Sequence, residues 1–181
     1  VSMLETMPAD EAADLLLSLN KEKVDGFLTL METNKSKKLS QLLGYSSDSA
    51  GGLMTTEYIS IDKNATVEQA LNKLRELTSQ AETIYYVFIL DEQSHLVGMT
   101  SLRRLLIANP SSLIVETKFP KHIFVRTDDS VKEIAYLMDK YKCSAIPVVN
   151  KENVMQGVIT VDDVLEKVIP LAWRRFRKKI K

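Results

Sequence analysis

The sequence predicts an α+β protein, in which a short α-helical N-terminal segment is followed by two β-α-β-β-α units packed as a pseudo-twofold pair. Three observations carry this prediction. Apolar residues recur at helical spacing over the first 45 residues. A stretch rich in turn and cap residues follows at 46–52, and the chain beyond it repeats itself internally.

The first 45 residues are predicted to form three short helices. Ala12, Leu15, Leu16 and Leu19 share one face of the first helix, and Pro8 fits its first turn. The stripes of the second and third helices are Val24, Phe27, Leu28 and Met31, then Leu39, Leu42 and Leu43. We expect these helices to pack antiparallel, each with one buried face.

The internal repeat is the most informative feature of the chain. Residues 59–71 align with 123–135 at an offset of 64, and residues 87–105 align with 146–164 at an offset of 59. The difference of five residues falls in a loop, where an insertion costs little. Each copy therefore reads strand, helix, strand, turn, strand, helix.

Each copy carries its own helix start and its own strands. Thr66 with Gln69, and Ser130 with Glu133, form capping boxes that open the first helix of each copy. The predicted later strands are Tyr86–Leu90 and Leu96–Thr100 in the first copy and Ala145–Val149 and Met155–Thr160 in the second, with last helices beginning near Leu102 and Val161. Because neither unit can cover its own sheet, we expect the two sheets to pack face to face.

Charge and composition restrict the class of function. The 24 basic and 24 acidic residues cancel, but residues 167–181 hold seven basic residues and no acidic one, which leaves a net charge of −7 over 1–166. An acidic body disfavours nucleic acid and attracts cations. The longest apolar run, 84–90, has seven residues, whereas a membrane-spanning helix needs about 20. One cysteine, Cys143, cannot form an internal disulfide and favours a reducing compartment.

Catalytic motifs are missing from the sequence. His95 and His122 lie 27 residues apart with no CxxC or HExxH companion, and we expect both at the surface. Cys143 precedes a predicted core strand, so a buried and inert thiol is expected. No P-loop, G-x-S-x-G or dinucleotide glycine pattern occurs. The sequence therefore predicts a protein that is not an enzyme.

The second copy resembles a known domain family. Ser144–Val149 (SAIPVV) followed by Gly157–Leu165 (GVITVDDVL) is similar to a CBS domain, and the two copies together resemble a tandem CBS pair. Upstream, Pro8–Leu16 (PADEAADLL) and Tyr45–Glu57 (YSSDSAGGLMTTE) resemble the cytosolic region of MgtE-type magnesium transporters. The resemblance covers residues 3–166. It implies a helical MgtE N-like segment at 1–45, a first CBS unit at 46–106, a second at 107–169 and a basic tail at 170–181.

The resemblance implies a regulatory region that senses Mg²⁺. In such transporters, acidic residues crowd at the interfaces between the N domain, the CBS pair and the two subunits, and Mg²⁺ stabilises a compact state that closes the pore. It implies a homodimer formed through the CBS pairs, a transmembrane pore domain of the same or another chain, and a cytoplasmic position at the inner face of the cell membrane. The basic segment after the second unit departs from the acidic one in the family, which leaves open a soluble relative or a module of a different transporter.

The metal candidates are paired acidic residues on two helices. Asp10 and Asp14, with Glu11 beside them, are one turn apart on the first helix, and Asp162 and Glu166 are one turn apart on the last. Asp163 is also a metal candidate, but it cannot easily serve ribose and Mg²⁺ through the same oxygens, so it is assigned to nucleotide first. Carboxylate oxygens are the hard ligands that Mg²⁺ prefers. The alternative is a solvated helix surface that binds no ion.

The nucleotide candidates lie in the second unit. In CBS proteins the Asp of G-h-h-T-x-x-D (h apolar) accepts hydrogen bonds from ribose hydroxyls and the Thr lies near the phosphate, which points here to Asp163 and Thr160 and to ATP or AMP as ligand. The set is completed by Ala145 and Pro147. The alternative is an N-cap with an acidic third residue that needs no ligand. In the first unit Arg104 stands at the position of the acid and cannot accept a hydrogen bond, so at most one site per chain is expected.

Three functions remain open from the sequence. The leading hypothesis is the Mg²⁺-responsive region of an MgtE-type transporter. The alternatives are an adenine-nucleotide-binding CBS module that acts on a separate partner and a purely structural dimerisation module. The basic tail has two groups of interpretations. It contacts an anionic membrane surface or an acidic partner, or it precedes a membrane domain. Alternatively, it is a solvated end, or a helix whose basic residues complement an acidic neighbour.

Overall fold

The computed structural model describes residues 4, 7–77, 83–121 and 123–169. Three helices come first, as predicted: α1 (Ala9–Leu17), α2 (Lys21–Leu30) and α3 (Thr33–Leu42). Helices α1 and α3 each bury an apolar face, but α2 contains no fully buried residue. The predicted apolar stripe of α2 nevertheless faces this core, because Val24, Phe27 and Leu28 pack against it partly buried and Met31, directly after the helix, is buried in it.

The two repeated units follow a short helix, α4 (Ala50–Leu53). The first unit contains β1 (Ser60–Asp62), α5 (Val67–Leu77), β2 (Tyr86–Leu90), β3 (Leu96–Ser101) and α6 (Leu102–Ile107). A 3₁₀ helix, Ile114–Thr117, leads into the second unit, which contains β4 (Val125–Arg126), α7 (Val131–Tyr141), β5 (Ala145–Val149), β6 (Met155–Thr160) and a last helix, α8, at 161–169. Both sheets have the same order, with the first strand parallel and the third antiparallel to the central strand. The predicted α+β class and repeat are confirmed.

Capping boxes begin the first helix of each unit. The Thr66 N–H donates to Gln69 Oε1 at 2.9 Å, and the Gln69 N–H donates back to Thr66 Oγ1 at 3.2 Å. Ser130 and Glu133 exchange the same pair of bonds at the start of α7. These reciprocal bonds satisfy backbone donors that a helix terminus leaves without intrahelical partners.

The two sheets pack face to face over a shared apolar layer. Phe88, Leu90 and Met99 of the first sheet form one cluster with apolar residues of β5 and β6. At the turns, His95 pairs with Val154 in an isolated antiparallel bridge. This arrangement is the pseudo-twofold pair that the sequence predicts.

The segments that lead into the two units are exchanged between the sheets, a feature the sequence did not predict. Thr55 precedes β1, the first strand of the first unit, yet its N–H donates to the carbonyl of Val158 in β6 at 2.9 Å. Phe119 precedes β4, the first strand of the second unit, yet its N–H donates to the carbonyl of Met99 in β3 at 2.9 Å. The repeat offsets relate Thr55 to Phe119 and Met99 to Val158, so the exchange obeys the pseudosymmetry. Gly157 permits the close approach, because a Cβ there would lie 2.6 Å from the Thr55 carbonyl oxygen.

The helical segment and the second unit share one core. Ala12 and Leu16 of α1 belong to the same buried cluster as Ile146 and Ile159 of the second sheet. This continuous core holds α1 close to the second unit and therefore close to α8. None of the helices in the described ranges is long and apolar enough to cross a bilayer.

Candidate functional site: an acidic cleft between the first and last helices

A small cleft lies where α1 meets α8. Its volume is about 110 Å³, and α4 closes one side through Gly52 and Leu53. The charged residues that line it are Asp10, Glu11 and Asp14 of α1 and Asp163, Glu166 and Lys167 of α8. Five carboxylates and one ammonium group therefore face a space of a few water molecules. We call this the acidic cleft.

Helix periodicity explains why these side chains meet. Asp10 and Asp14 are one turn apart on α1, and Asp163 and Lys167 are one turn apart on α8. The apolar faces of both helices are turned into the core, where Val164 of α8 is 3% exposed. The charged residues next to those faces consequently lie along the rim of the same interface.

Asp10 is the most perturbed carboxyl in the cleft. Burial raises its pKa to about 6, and the negative charge of Asp163 adds to the increase. Its Oδ1 atom is buried and has no hydrogen-bond partner among the described residues. A buried, unpaired carboxylate oxygen is costly unless a cation or a proton compensates it. The hard-oxygen donor set of the cleft fits Mg²⁺.

The carboxylates are not yet assembled around a single point. Within the described ranges, no three His, Cys, Asp or Glu side chains are close enough to hold a metal ion directly. Mg²⁺ in proteins usually keeps several of its waters and binds through one or two carboxylates. The spacing therefore suits a hydrated ion held between the helices, or direct binding after the helices move closer.

Asp163 has two roles in this geometry. Its Oδ2 atom accepts hydrogen bonds from the Thr160 N–H at 2.9 Å and from Thr160 Oγ1 at 2.6 Å. These bonds cap the start of α8, as the alternative interpretation of T-x-x-D expected. The Oδ1 atom is not committed to this cap, and the side chain also lines the acidic cleft.

The metal candidates predicted from sequence are brought together in part. Asp10, Asp14 and Glu166 line the acidic cleft, together with Glu11. Asp162 is exposed and does not line it, whereas its neighbour Asp163, the predicted ribose ligand, does. The rotation of α8 about its axis determines which of these two adjacent residues faces the acidic cleft, because consecutive residues on a helix point about 100° apart.

Lys167 is a cleft residue that the sequence analysis missed. It was counted only as the first residue of the basic C-terminal stretch. In the structure its Nζ atom lies 3.9 Å from Asp14 Oδ2, with the two side chains 36% and 55% exposed. Its spacing of four residues from Asp163 is the signal that places both on one helix face.

The nucleotide candidates are less accessible than the metal candidates. Ala145 and Pro147 lie within β5, where every residue is buried, and Thr160 is engaged with Asp163. A larger cavity of about 600 Å³ lies between the units next to Ser144. Its other lining residues include Tyr85, Tyr86, Ser101, Leu102, Arg103 and Phe119.

The first unit lacks an acceptor at the position of Asp163. Arg104 occupies it, and its guanidinium lies over the Phe119 ring, 4.9 Å from the ring centroid. Ser101 caps α6 by accepting from the Arg104 N–H at 3.3 Å. This geometry agrees with the expectation that the first unit has no carboxylate for ribose.

The remaining chemical groups show no catalytic arrangement in the described part of the chain. His95 lies at the end of the turn between β2 and β3, where its side chain is 41% exposed and its Nδ1 atom is 3.0 Å from Asp91 Oδ2. Cys143 is buried as predicted, and burial raises the pKa of its thiol. His122 and the basic tail at 170–181 lie outside the described residues.

Comparison with known proteins agrees with this architecture. The CBS domain model matches residues 50–110 and 117–170, and the MgtE intracellular N domain model matches residues 1–48. The chain is 40% identical to the magnesium transporter MgtE of Thermus thermophilus over 87% of its own length and 36% of the relative. It is 34% identical to MgtE of Bacillus subtilis over 97% of its length and 39% of the relative. The chain thus spans just over a third of these curated relatives.

Solved structures extend the likeness to three dimensions. The soluble part of a magnesium transporter matches with a TM-score of 0.89 and 35% identity, covering 94% of this chain and 66% of that one. The cytosolic domain of the Mg²⁺ channel MgtE in complex with ATP matches with a TM-score of 0.85 and 39% identity, covering 90% and 67%.

The fold and the matched models define a tandem CBS-domain protein with a helical segment docked on its second unit. The order of the domains and the identity to the solved cytosolic domain are more specific than the CBS pair alone. The chain belongs to the MgtE family, in which it corresponds to the intracellular N domain and the CBS pair.

Proposed function

We propose that this chain is the Mg²⁺-sensing regulatory region of an MgtE-type magnesium transporter, and that it acts by metal-stabilised compaction of a dimer. The acidic cleft carries the proposal, because it joins the helical segment to the last helix of the CBS pair through like charges. Without a cation these charges repel and loosen the docking of α1. Mg²⁺ shifts the balance only to the extent that it binds the docked state more tightly than the loosened one.

The cleft residues divide the task of holding the ion. Asp10 offers a buried oxygen with no partner, and Asp163 offers the oxygen that the helix cap leaves free. Asp14 and Glu166 stand further out, where they attract the ion and share its hydration shell. The proposed role is regulatory and needs no catalytic group.

The proposed partners are a second copy of this chain and a transmembrane pore domain. Leu106 of α6 is 66% exposed and Leu165 of α8 is 44% exposed. The repeat offset of 59 relates these two leucines, so the pair presents a pseudosymmetric apolar surface suited to a homodimer. We place the assembly in the cytoplasm at the inner face of the cell membrane, with the basic tail at 170–181 near anionic lipid and no role for nucleic acid. The domain boundaries at 45/46, 106/107 and 169/170 are part of this proposal.

A Mg²⁺ titration of thermal stability and solution size tests the proposal. At an ion concentration of about 100 times the dissociation constant, binding stabilises the docked state by about 2.7 kcal/mol. For a chain of this length that corresponds to a rise of about 5–10 °C in melting temperature. Small-angle X-ray scattering over the same titration should show a fall in the radius of gyration.

Two adjacent residues provide a matched pair of variants. Asp163→Asn keeps an oxygen that caps α8 but removes one charge from the acidic cleft, so the Mg²⁺-induced rise should shrink. Asp162→Asn removes the same charge from an exposed position on the same helix and should leave the rise intact. The proposal fails if Mg²⁺ changes neither stability nor size, or if the two variants respond alike.

A second candidate function is the binding of an adenine nucleotide between the two CBS units. The cavity of about 600 Å³ favours it, because tyrosine and phenylalanine rings there can stack on a base and Arg103 can pair with phosphate. A similar cytosolic domain has been solved in complex with ATP. Ala145 directly follows the lining residue Ser144 and pairs with Thr160 across β5 and β6, which brings these two members of the predicted set Thr160, Asp163, Ala145 and Pro147 next to this cavity.

Calorimetric titration with ATP and AMP tests the nucleotide proposal. Arg103→Gln should weaken binding by about tenfold or more, the loss expected for one charge-assisted phosphate contact. Arg75→Gln, an exposed arginine of α5 that does not line the cavity, is the matched control. No heat of binding, or equal affinity in both variants, would remove this function.

A further inference from the structure

Lys167 is the only cation among the residues that line the acidic cleft in the described part of the chain. It projects from α8 toward Asp14 of α1, with 3.9 Å between Nζ and Oδ2. Its charge therefore bridges the same two elements that a bound Mg²⁺ would join. The side chain is 36% exposed, so its four-carbon stem is partly covered by its neighbours.

The charge balance gives this contact more weight than an isolated surface ion pair. A single half-exposed Lys–Asp pair contributes little. Here one ammonium faces five carboxylates, one of which carries a buried oxygen without a partner. The ammonium neutralises part of that charge at all times, because it is tethered to the protein and its concentration in the cleft does not vary.

We propose that Lys167 is a built-in counter-cation that limits the loosening of α1 when Mg²⁺ is scarce and sets the Mg²⁺ concentration at which the ion takes over. This inference rests on the proposed Mg²⁺-sensing function. A dication that enters the cleft meets the repulsion of the ammonium and must displace it from Asp14. Lys167 therefore strengthens docking in the absence of Mg²⁺ and weakens the binding of Mg²⁺.

The size of the competing effect follows from the charges. Removing a monovalent cation a few ångströms from a dication in a solvent-exposed cleft should tighten Mg²⁺ binding by about three- to tenfold at physiological ionic strength. The effect on docking has the opposite sign, because the variant loses attraction between α1 and α8. Loss of the charge should therefore make the protein more dependent on Mg²⁺.

The test compares three variants of the chain. Lys167→Met keeps much of the stem and removes the charge, and Lys167→Arg keeps the charge. Lys151→Met removes a charge from an exposed turn of the second unit and serves as the matched control. Melting temperature in EDTA reports docking, and isothermal titration calorimetry with Mg²⁺ alone reports the dissociation constant.

Lys167→Met should melt at a lower temperature than the wild type in EDTA and bind Mg²⁺ about three- to tenfold more tightly, whereas the other two variants should match the wild type. A lower melting temperature with an unchanged dissociation constant would overturn the competition, because it would mean that Lys167 only supports packing. Values that match the wild type in both measurements would overturn the whole inference. If the wild type itself binds no Mg²⁺, the sensing function fails, and a reduced melting temperature in EDTA would then support only the counter-cation part.

Discussion

Substitution of Asp10 by Asn should stabilise the protein in the absence of divalent cations. Burial raises the pKa of Asp10 to about 6 from an ordinary value of 3.8. At neutral pH the folded protein must keep this carboxyl ionised at a cost, because the unfolded chain ionises it more readily. A difference of this size corresponds to about 3 kcal/mol, which solvent screening at a side chain that is not fully buried reduces to about 1–2 kcal/mol.

The sign of the pH dependence follows from the raised pKa. Below the unfolded value of 3.8 the carboxyl is protonated in both states and the penalty is absent, and the penalty grows until the pH exceeds about 6. Asp10→Asn should therefore raise the melting temperature by about 2–8 °C at pH 7.5 in EDTA and have little effect near pH 4. With Mg²⁺ present, the advantage should shrink or reverse, because the ion compensates the carboxylate only in the wild type.

Thermal denaturation in EDTA at a series of pH values measures this difference directly. Asp25→Asn is the matched control, since Asp25 is exposed on the neighbouring helix α2 and does not line the acidic cleft. A variant at Asp10 that is less stable than the wild type at pH 7.5, or a difference that does not change with pH, would refute the reasoning. Either result would mean that Asp10 is compensated in the docked state without a cation.

Two further predictions concern the backbone and the helix caps. Gly52→Ala should destabilise the protein by about 2 kcal/mol or more, since its Cβ would lie 2.1 Å from the Ser46 carbonyl oxygen. The control Gly26→Ala, with open space around the same atom in the middle of α2, should stabilise by up to about 1 kcal/mol; a similar response of both glycines in urea denaturation would contradict this reasoning. Ser130→Ala should cost about 1 kcal/mol, because Ser130 Oγ no longer accepts the hydrogen bond that the Glu133 N–H donates, and an unchanged denaturation midpoint would show that the cap is dispensable.

The repeat predicts the elements of the two units well because each copy supports the other. The bounds of β2, β5 and β6 agree with those read from the alignment of the copies. The capping boxes are equally local signals, since three residues suffice to form them. Features that depend on short-range patterns are therefore recovered from the sequence alone.

The sequence does not predict the exchange of the segments around Thr55 and Phe119, because these segments have no periodic pattern. Thr55 and Phe119 each pair with the opposite sheet at one position, so neither has the alternation of a strand. The sequence could not decide between Asp162 and Asp163 as the residue that lines the acidic cleft, for a related reason. Which face of α8 meets α1 depends on the packing of two helices about 150 residues apart in the chain, and no local pattern encodes that contact.

The exchange of the segments around Thr55 and Phe119 predicts that the first unit cannot fold alone within its sequence-based boundaries, 46–106. A fragment of residues 46–106 lacks Ile114, which is fully buried in the first core and whose N–H donates to the Ala65 carbonyl at 2.9 Å. It also leaves Thr55 without its partner Val158 and exposes the apolar layer that faces the second sheet. Circular dichroism and urea denaturation should show no cooperative transition for this fragment. A fragment of residues 46–169, which retains both exchanged segments, should unfold cooperatively although less stably than the whole chain. Cooperative unfolding of 46–106 alone would mean that each unit completes its own core, and that the exchanged segments are not needed for either domain to fold.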